Sequence, residues 1–198
     1  VIPLQTTNEQ ALSLGIQTID QKYLGFKLGN FAVLHGHSFC KNLIFKLCVH
    51  SQLTKQDSGL NSSTIYIDGG NTFNPYAIST IAKELNLNPK STLEKIFVSR
   101  AFTAYQLSAI ILKTLEDALR KYKPKLILIS NITDLFLDDD VPTKEAFEIF
   151  DNVTSHLADL ARKQNIIIIA THQNNNTHSK RQTILESILL EKTHIIAK

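Results

Sequence analysis

The sequence predicts an α/β fold, a mostly parallel twisted sheet with helices on both faces. Two patterns carry this prediction. Short apolar runs rich in Ile, Val and Leu lack strict alternation, as strands covered on both faces do. Between them lie longer stretches with apolar residues at helical spacing, and alternation of the two at these lengths implies βαβ units.

The strands are expected at 31–34, 64–67, 96–98, 126–129 and 166–170. A helix is expected at 42–53, where Leu43, Ile44, Leu47 and Cys48 share a face, and another at 75–85, where Pro75 suits a first turn. The segment 103–122 carries a broad stripe of Leu107, Ile110, Ile111, Leu115, Ala118 and Leu119. The segment 143–163 carries Ala146, Ile149, Phe150, Val153, Leu157 and Leu160. The pieces 184–190 and 194–197 read as closing strands.

A chain of 198 residues is expected to form one domain, 1–198, with residues 1–13 as a short N-terminal extension. Hydrophobic content of 43% with 20% charged residues excludes disorder for the chain as a whole. The net charge of +3 is too small for a strong nucleic-acid footprint. Cys40 and Cys48 do not make a disulfide framework, and a cytoplasmic setting is the expectation. The N-terminus lacks a basic region followed by an apolar run, and runs such as 166–170 are too short to span a membrane.

In parallel α/β sheets ligands collect beyond the carboxyl ends of the strands, so the segments after Leu34, Ile67, Ile129 and Ala170 matter most. The first reads His35-Gly36-His37-Ser38-Phe39-Cys40-Lys41-Asn42. A phosphate-binding loop, G-x-x-x-x-G-K-[ST], cradles phosphates with backbone N–H groups in this strand–loop–helix setting. Gly36 and Lys41 suit its outer members, but Cys40 replaces the second Gly and Asn42 the Ser/Thr. The spacing is also one residue short. A degenerate phosphate loop and an ordinary strand–turn–helix junction both fit. Cys at a left-handed position costs roughly 1–2 kcal/mol.

The second segment is more specific. Tyr66-Ile67-Asp68-Gly69-Gly70-Asn71-Thr72-Phe73-Asn74-Pro75 resembles the RadA-type recombinase segment Y-I-D-T-E-G-T-F-R-P. Further matches follow in the family's order. Arg100-Ala101-Phe102 with Gln106 is similar to R-A-[FY]-N-T-D-H-Q, and Gly15 through Gly25 to the family's entry to the core. Leu126–Ser130 resembles the second nucleotide motif, and Ala170-Thr171-His172-Gln173 resembles the T-N-Q strand end. The chain is identified as a member of the RecA/RadA recombinase superfamily, resembling it from 14 to about 173. The resemblance implies a RecA-type P-loop NTPase core.

The departures carry as much meaning. In the family a Glu positions the attacking water; Gly70 stands at that place. The Asp that holds the magnesium shell is Ser130 here, which is neutral. General-base help is worth ~10²–10⁴ in rate. No catalytic residue is therefore assigned, and ATP and Mg²⁺ are expected to bind weakly or not at all. Gly36, Cys40, Lys41, Asn42 and Gln173 are the residual nucleotide-binding candidates.

Two family loops line the DNA path. The first carries Asp138, Asp139 and Asp140, which repel phosphate and read as a solvated acidic turn. The second offers Lys180 and Arg181, few cations for a phosphate contact. Arg120, Lys121, Lys123 and Lys125 are denser but sit at a helix C-terminus, where cations are favourable anyway. His35, His37 and Cys40 lack a visible fourth ligand, and no metal site is expected. The separate N-terminal DNA-binding domain of full-length RadA is not expected. The resemblance thus implies an accessory RadA-like protein of recombination or repair, inactive or impaired as an ATPase. Its expected partner is a RadA-type recombinase or a second copy of itself. The alternative is a slow or unconventional ATPase of the RecA/KaiC type, with DNA contact.

Overall fold

The central strands are apolar on both faces because helices cover both. The computed structural model describes residues 11–13, 25–36, 38–173, 179–193 and 195–197, with the backbone path alone at 38–41 and 195–197. Eight strands are described: β1 (Ala11–Leu12), β2 (Phe26–Lys27), β3 (Phe31–His35), β4 (Thr64–Asp68), β5 (Ile96–Arg100), β6 (Leu126–Ser130), β7 (Ile167–His172) and β8 (Ile195–Ala197). The helices are α1 (Ser38–His50), α2 (Pro75–Glu84), α3 (Pro89–Glu94), α4 (Ala104–Ala109), α5 (Leu115–Tyr122), α6 (Thr143–Gln164) and α7 (Lys180–Lys192).

The main sheet has six strands in the order β5-β4-β6-β7-β3-β8, and every pairing is parallel. Side chains alternate between its faces. Phe31, Val33, Ile65, Ile67, Ile127, Ile129 and Ile168 pack on one face under α4 to α7. Ala32, Leu34, Tyr66, Leu126, Leu128 and Ile169 pack on the other under α1 and α2. There the antiparallel β1–β2 pair adds Leu12 and Phe26 to the core.

Local chemistry sets the helix ends. Asn74 accepts from the N–H groups of Tyr76 and Ala77 ahead of Pro75, and Thr103 accepts from that of Gln106. In α6, Ala146, Phe150, Val153, Leu157 and Leu160 form a buried stripe spaced by fours and threes, and Asn165 ends the helix in the left-handed region. The expected 103–122 helix is interrupted by a π turn at Ile110–Thr114, which joins α4 to α5.

One expectation fails. The segment 184–190 is not a closing strand but lies within α7. Leu185 and Leu189, four apart, are both buried, and Ser179 caps the helix by accepting from the Gln182 N–H. Local apolar density resembled a strand, but Ile184, Leu185, Ile188 and Leu189 repeat with helical period. The strand expected at 194–197 is present at Ile195–Ala197, beside β3. Among the described residues no helix is long and apolar enough to cross a membrane.

Leu157 is fully buried on α6. Leu157→Ala is expected to lower stability by about 2–5 kcal/mol in urea unfolding, and Lys144→Ala, at an exposed position on the same helix, to leave it nearly unchanged.

Candidate functional site at the carboxyl edge

Strand order and the faces taken by the helices place switch points at the carboxyl edge, among them those between β3 and β7 and between β4 and β6. At each, the chain leaves neighbouring strands toward opposite faces and opens a crevice. Most of the motif residues converge on these crevices because they follow the central strands β3, β4, β6 and β7, while Arg100 ends the edge strand β5.

At the end of β3, Gly36 has φ +152°, a conformation that favours glycine, and its N–H donates to the His172 carbonyl at 3.2 Å. That donor is engaged by the sheet. Helix α1 starts at Ser38, four residues earlier than expected, so Cys40 and Lys41 fall in its first turn. Their side chains, and all of His37, lie outside the described residues. Asn42 is exposed on α1.

At the β4–β6 crevice the buried Asp68 carboxylate gathers donors from three elements. It accepts from the backbone N–H groups of Thr72 at 2.9 Å and Phe73 at 3.1 Å. It also accepts from the Ser130 hydroxyl at 2.8 Å and pairs with the Arg100 guanidinium at 3.1 Å. Burial pushes its pKa up, but these donors and the Arg100 charge outweigh that and hold it below its ordinary value. Asp68 is therefore a structural tie, not a free base. Ser130 turns its hydroxyl toward this carboxylate.

Gly70 lies against Asn131. A Cβ there would stand 2.6 Å from Asn131 Nδ2 and 3.0 Å from Asn131 Cβ, so any side chain requires Asn131 to move. Gly69 is tighter against backbone, 2.8 Å from the Ser130 carbonyl. Asn131 itself is left-handed at φ +50° and nearly buried. Its N–H donates to Thr171 Oγ1, its Nδ2 to Asp134, and its Oδ1 accepts from Gln173 Nε2 at 3.1 Å. Gln173 is thus held by Asn131 at the end of β7. The sequence reading missed Asn131; its place directly after the apolar strand 126–130 was the available signal.

Beside Gln173, His172 is buried, and burial together with the neighbouring His35 holds its imidazole down to about 4. It is neutral at neutral pH.

The acidic turn is solvated: Asp138, Asp139 and Asp140 are exposed after the short 3-10 turn Asp134–Leu137. Arg181 donates to the carbonyls of Phe136 at 2.8 Å and Val141 at 2.9 Å, tying α7 to that turn. Lys180 is exposed. Residues 174–178 of the second loop lie outside the described set. Arg120 is paired with Asp117 and Glu116 on its own helix, and Lys123 closes α5 in the left-handed region. Chemically, this edge holds a glycine turn at a helix N-terminus and a neutralised carboxylate. Nothing described at 70 or 130 can take a proton from water.

A protein-family model described as Rad51 matches residues 9–187. One relative is the DNA repair and recombination protein RadA of Cenarchaeum symbiosum (strain A), 34% identical over 90 residues. That stretch is 46% of this chain and 22% of the relative, so the match spans about a fifth of that protein.

Two outcomes test the geometry of this edge. Asp68 has a lower pKa folded than unfolded. Its contribution to stability is therefore complete above the ordinary value of 3.8 and is lost as pH falls through the folded value. Urea midpoints measured through that acid range should fall, and Arg100→Ala should move the fall to higher pH. Separately, Gly70→Ala should cost roughly 1–3 kcal/mol. Ser130→Ala should cost a similar amount, and Ser130→Asp more, because it sets a second carboxylate against Asp68.

Proposed function

Because the chain belongs to the Rad51 family, we propose that it serves DNA recombination or repair by binding other proteins, as an accessory member that does not turn over ATP. The observation that carries this reading is Gly70 closed against Asn131, where the family's water-positioning carboxylate is expected. Ser130 supports it, since its neutral hydroxyl is a donor to Asp68. The engaged Gly36 N–H supports it further by removing one donor from the phosphate cradle.

The binding role has its own support. Strand β5 is an edge strand in the described sheet, and Val98, Phe102 and Tyr105 beside it are exposed apolar groups. An unpaired edge with apolar side chains is a template for association. The partner that suits it is a RadA-type recombinase, or a second copy of this chain. DNA contact has weaker support: Arg181 is tied to carbonyls and the first loop is acidic.

One observation favours the second reading, a slow ATPase. The β3–Gly36–α1 junction keeps a strand–glycine–helix course at the carboxyl edge, with Lys41 in the first helical turn. Titration of the purified protein with a fluorescent ATP analogue and Mg²⁺, followed by a phosphate-release assay, separates the two readings. Weak or absent binding and no release are expected. Robust release abolished by Lys41→Ala would establish the ATPase instead. For the binding role, co-elution with a RadA-type recombinase is expected for the native chain and is expected to weaken in Phe102→Glu. Failure of the native chain both to co-elute and to self-associate would remove it.

A further inference from the structure

Three side chains meet beside the β3–β7 crevice without any role in the reading above. His35 and His172 are register partners at the ends of adjacent parallel strands, so their rings lie on one side of the sheet, with centroids 5.0 Å apart. Helix α7 brings Glu186 over them. Its Oε1 is 2.9 Å from His35 Nε2, and its Oε2 is 3.9 Å from His172 Nε2. One ligating atom from each residue lies within 4.8 Å of the others.

Thr133 Oγ1 stands 2.7 Å from His172 Nδ1, so that ring nitrogen is engaged. His172 Nε2 is buried and has no hydrogen-bond partner among the described residues. It faces Glu186 Oε2 across 3.9 Å, too far for a hydrogen bond. A buried ring nitrogen without a partner is a costly unmet group. A cation held between Nε2 and the carboxylate supplies that partner.

We propose that His35, His172 and Glu186 bind a divalent ion of the zinc type. Two imidazoles and a carboxylate suit that class, and the hard-oxygen preference of Mg²⁺ does not match them. The Thr133 hydroxyl, 2.7 Å from His172 Nδ1, is the hydrogen-bonded neighbour that orients a ligating imidazole. Metal–donor distances of about 2.0–2.2 Å in tetrahedral geometry set donors roughly 3.4 Å apart, so the carboxylate must ease away from His35, now at 2.9 Å, and close on His172, now at 3.9 Å. The flexible Glu186 side chain, on the partly exposed rim of the cluster, can make that shift. The ion would pin α7 to the sheet next to Gly36, whose N–H donates to the His172 carbonyl. This proposal is independent of the partner and of ATP turnover.

The test uses the full chain, stripped with EDTA and dialysed, then titrated with Co²⁺ while the visible absorption of the low-coordinate ion is followed. One equivalent is expected to saturate the signal, and Zn²⁺ to displace it. Glu186→Gln and His35→Gln should each bind at least ~10-fold more weakly. Glu191→Gln, exposed on the same helix, should bind like the native chain. Zn²⁺ should raise the thermal midpoint of the native chain and not that of Glu186→Gln. No stoichiometric uptake by the native chain overturns the proposal, as does unchanged affinity in both ligand variants. Circular dichroism establishes that each variant is folded; if one is not, the other variant and the native titration decide.

Discussion

In a parallel sheet, residues paired in register lie side by side on one face, and that constraint assembles the carboxyl edge of this protein. Asp68 pairs in register with Arg100 on one side and Ser130 on the other, which is why a buried carboxylate finds a guanidinium and a hydroxyl waiting. His35 pairs with His172 by the same rule. Each cluster exists because strand pairing runs past the apolar core to a final polar residue. The ladder then holds that residue with the precision of backbone hydrogen bonds.

That feature also explains what could and could not be read beforehand. The five strands β3 to β7 and the four long helices up to residue 164 were legible from apolar runs and helical spacing, because burial leaves a strong pattern. The strands proved longer at their carboxyl ends, through His35, Asp68, Arg100, Ser130 and His172. An apolar run stops where the core stops, whereas pairing need not. The misread segment was α7, where closely spaced apolar residues hid a helical period. The hub residue Asn131 and the distant Glu186 carry no local signature. They matter through positions set by topology, at sequence separations of 42 from Gln173 and 151 from His35.

The sheet, the glycine turn and the order of motifs are those the resemblance implies, while the groups at 70 and 130 are parts of the packing. Ser130 is a donor to Asp68, and Gly70 makes room for Asn131. A position that is merely open and one that is filled by neighbours differ physically. In the second case stability itself depends on the residue that stands there.

The contact of Gly70 with Asn131 has a consequence for the substitutions open to this chain. Placing a carboxylate at 70 requires Asn131 to yield, yet Asn131 anchors Thr171, Asp134 and Gln173. Placing one at 130 crowds Asp68 unless a cation arrives with it. Each such change is unfavourable alone, so acidic side chains at these positions are tolerated only together with compensating changes around them.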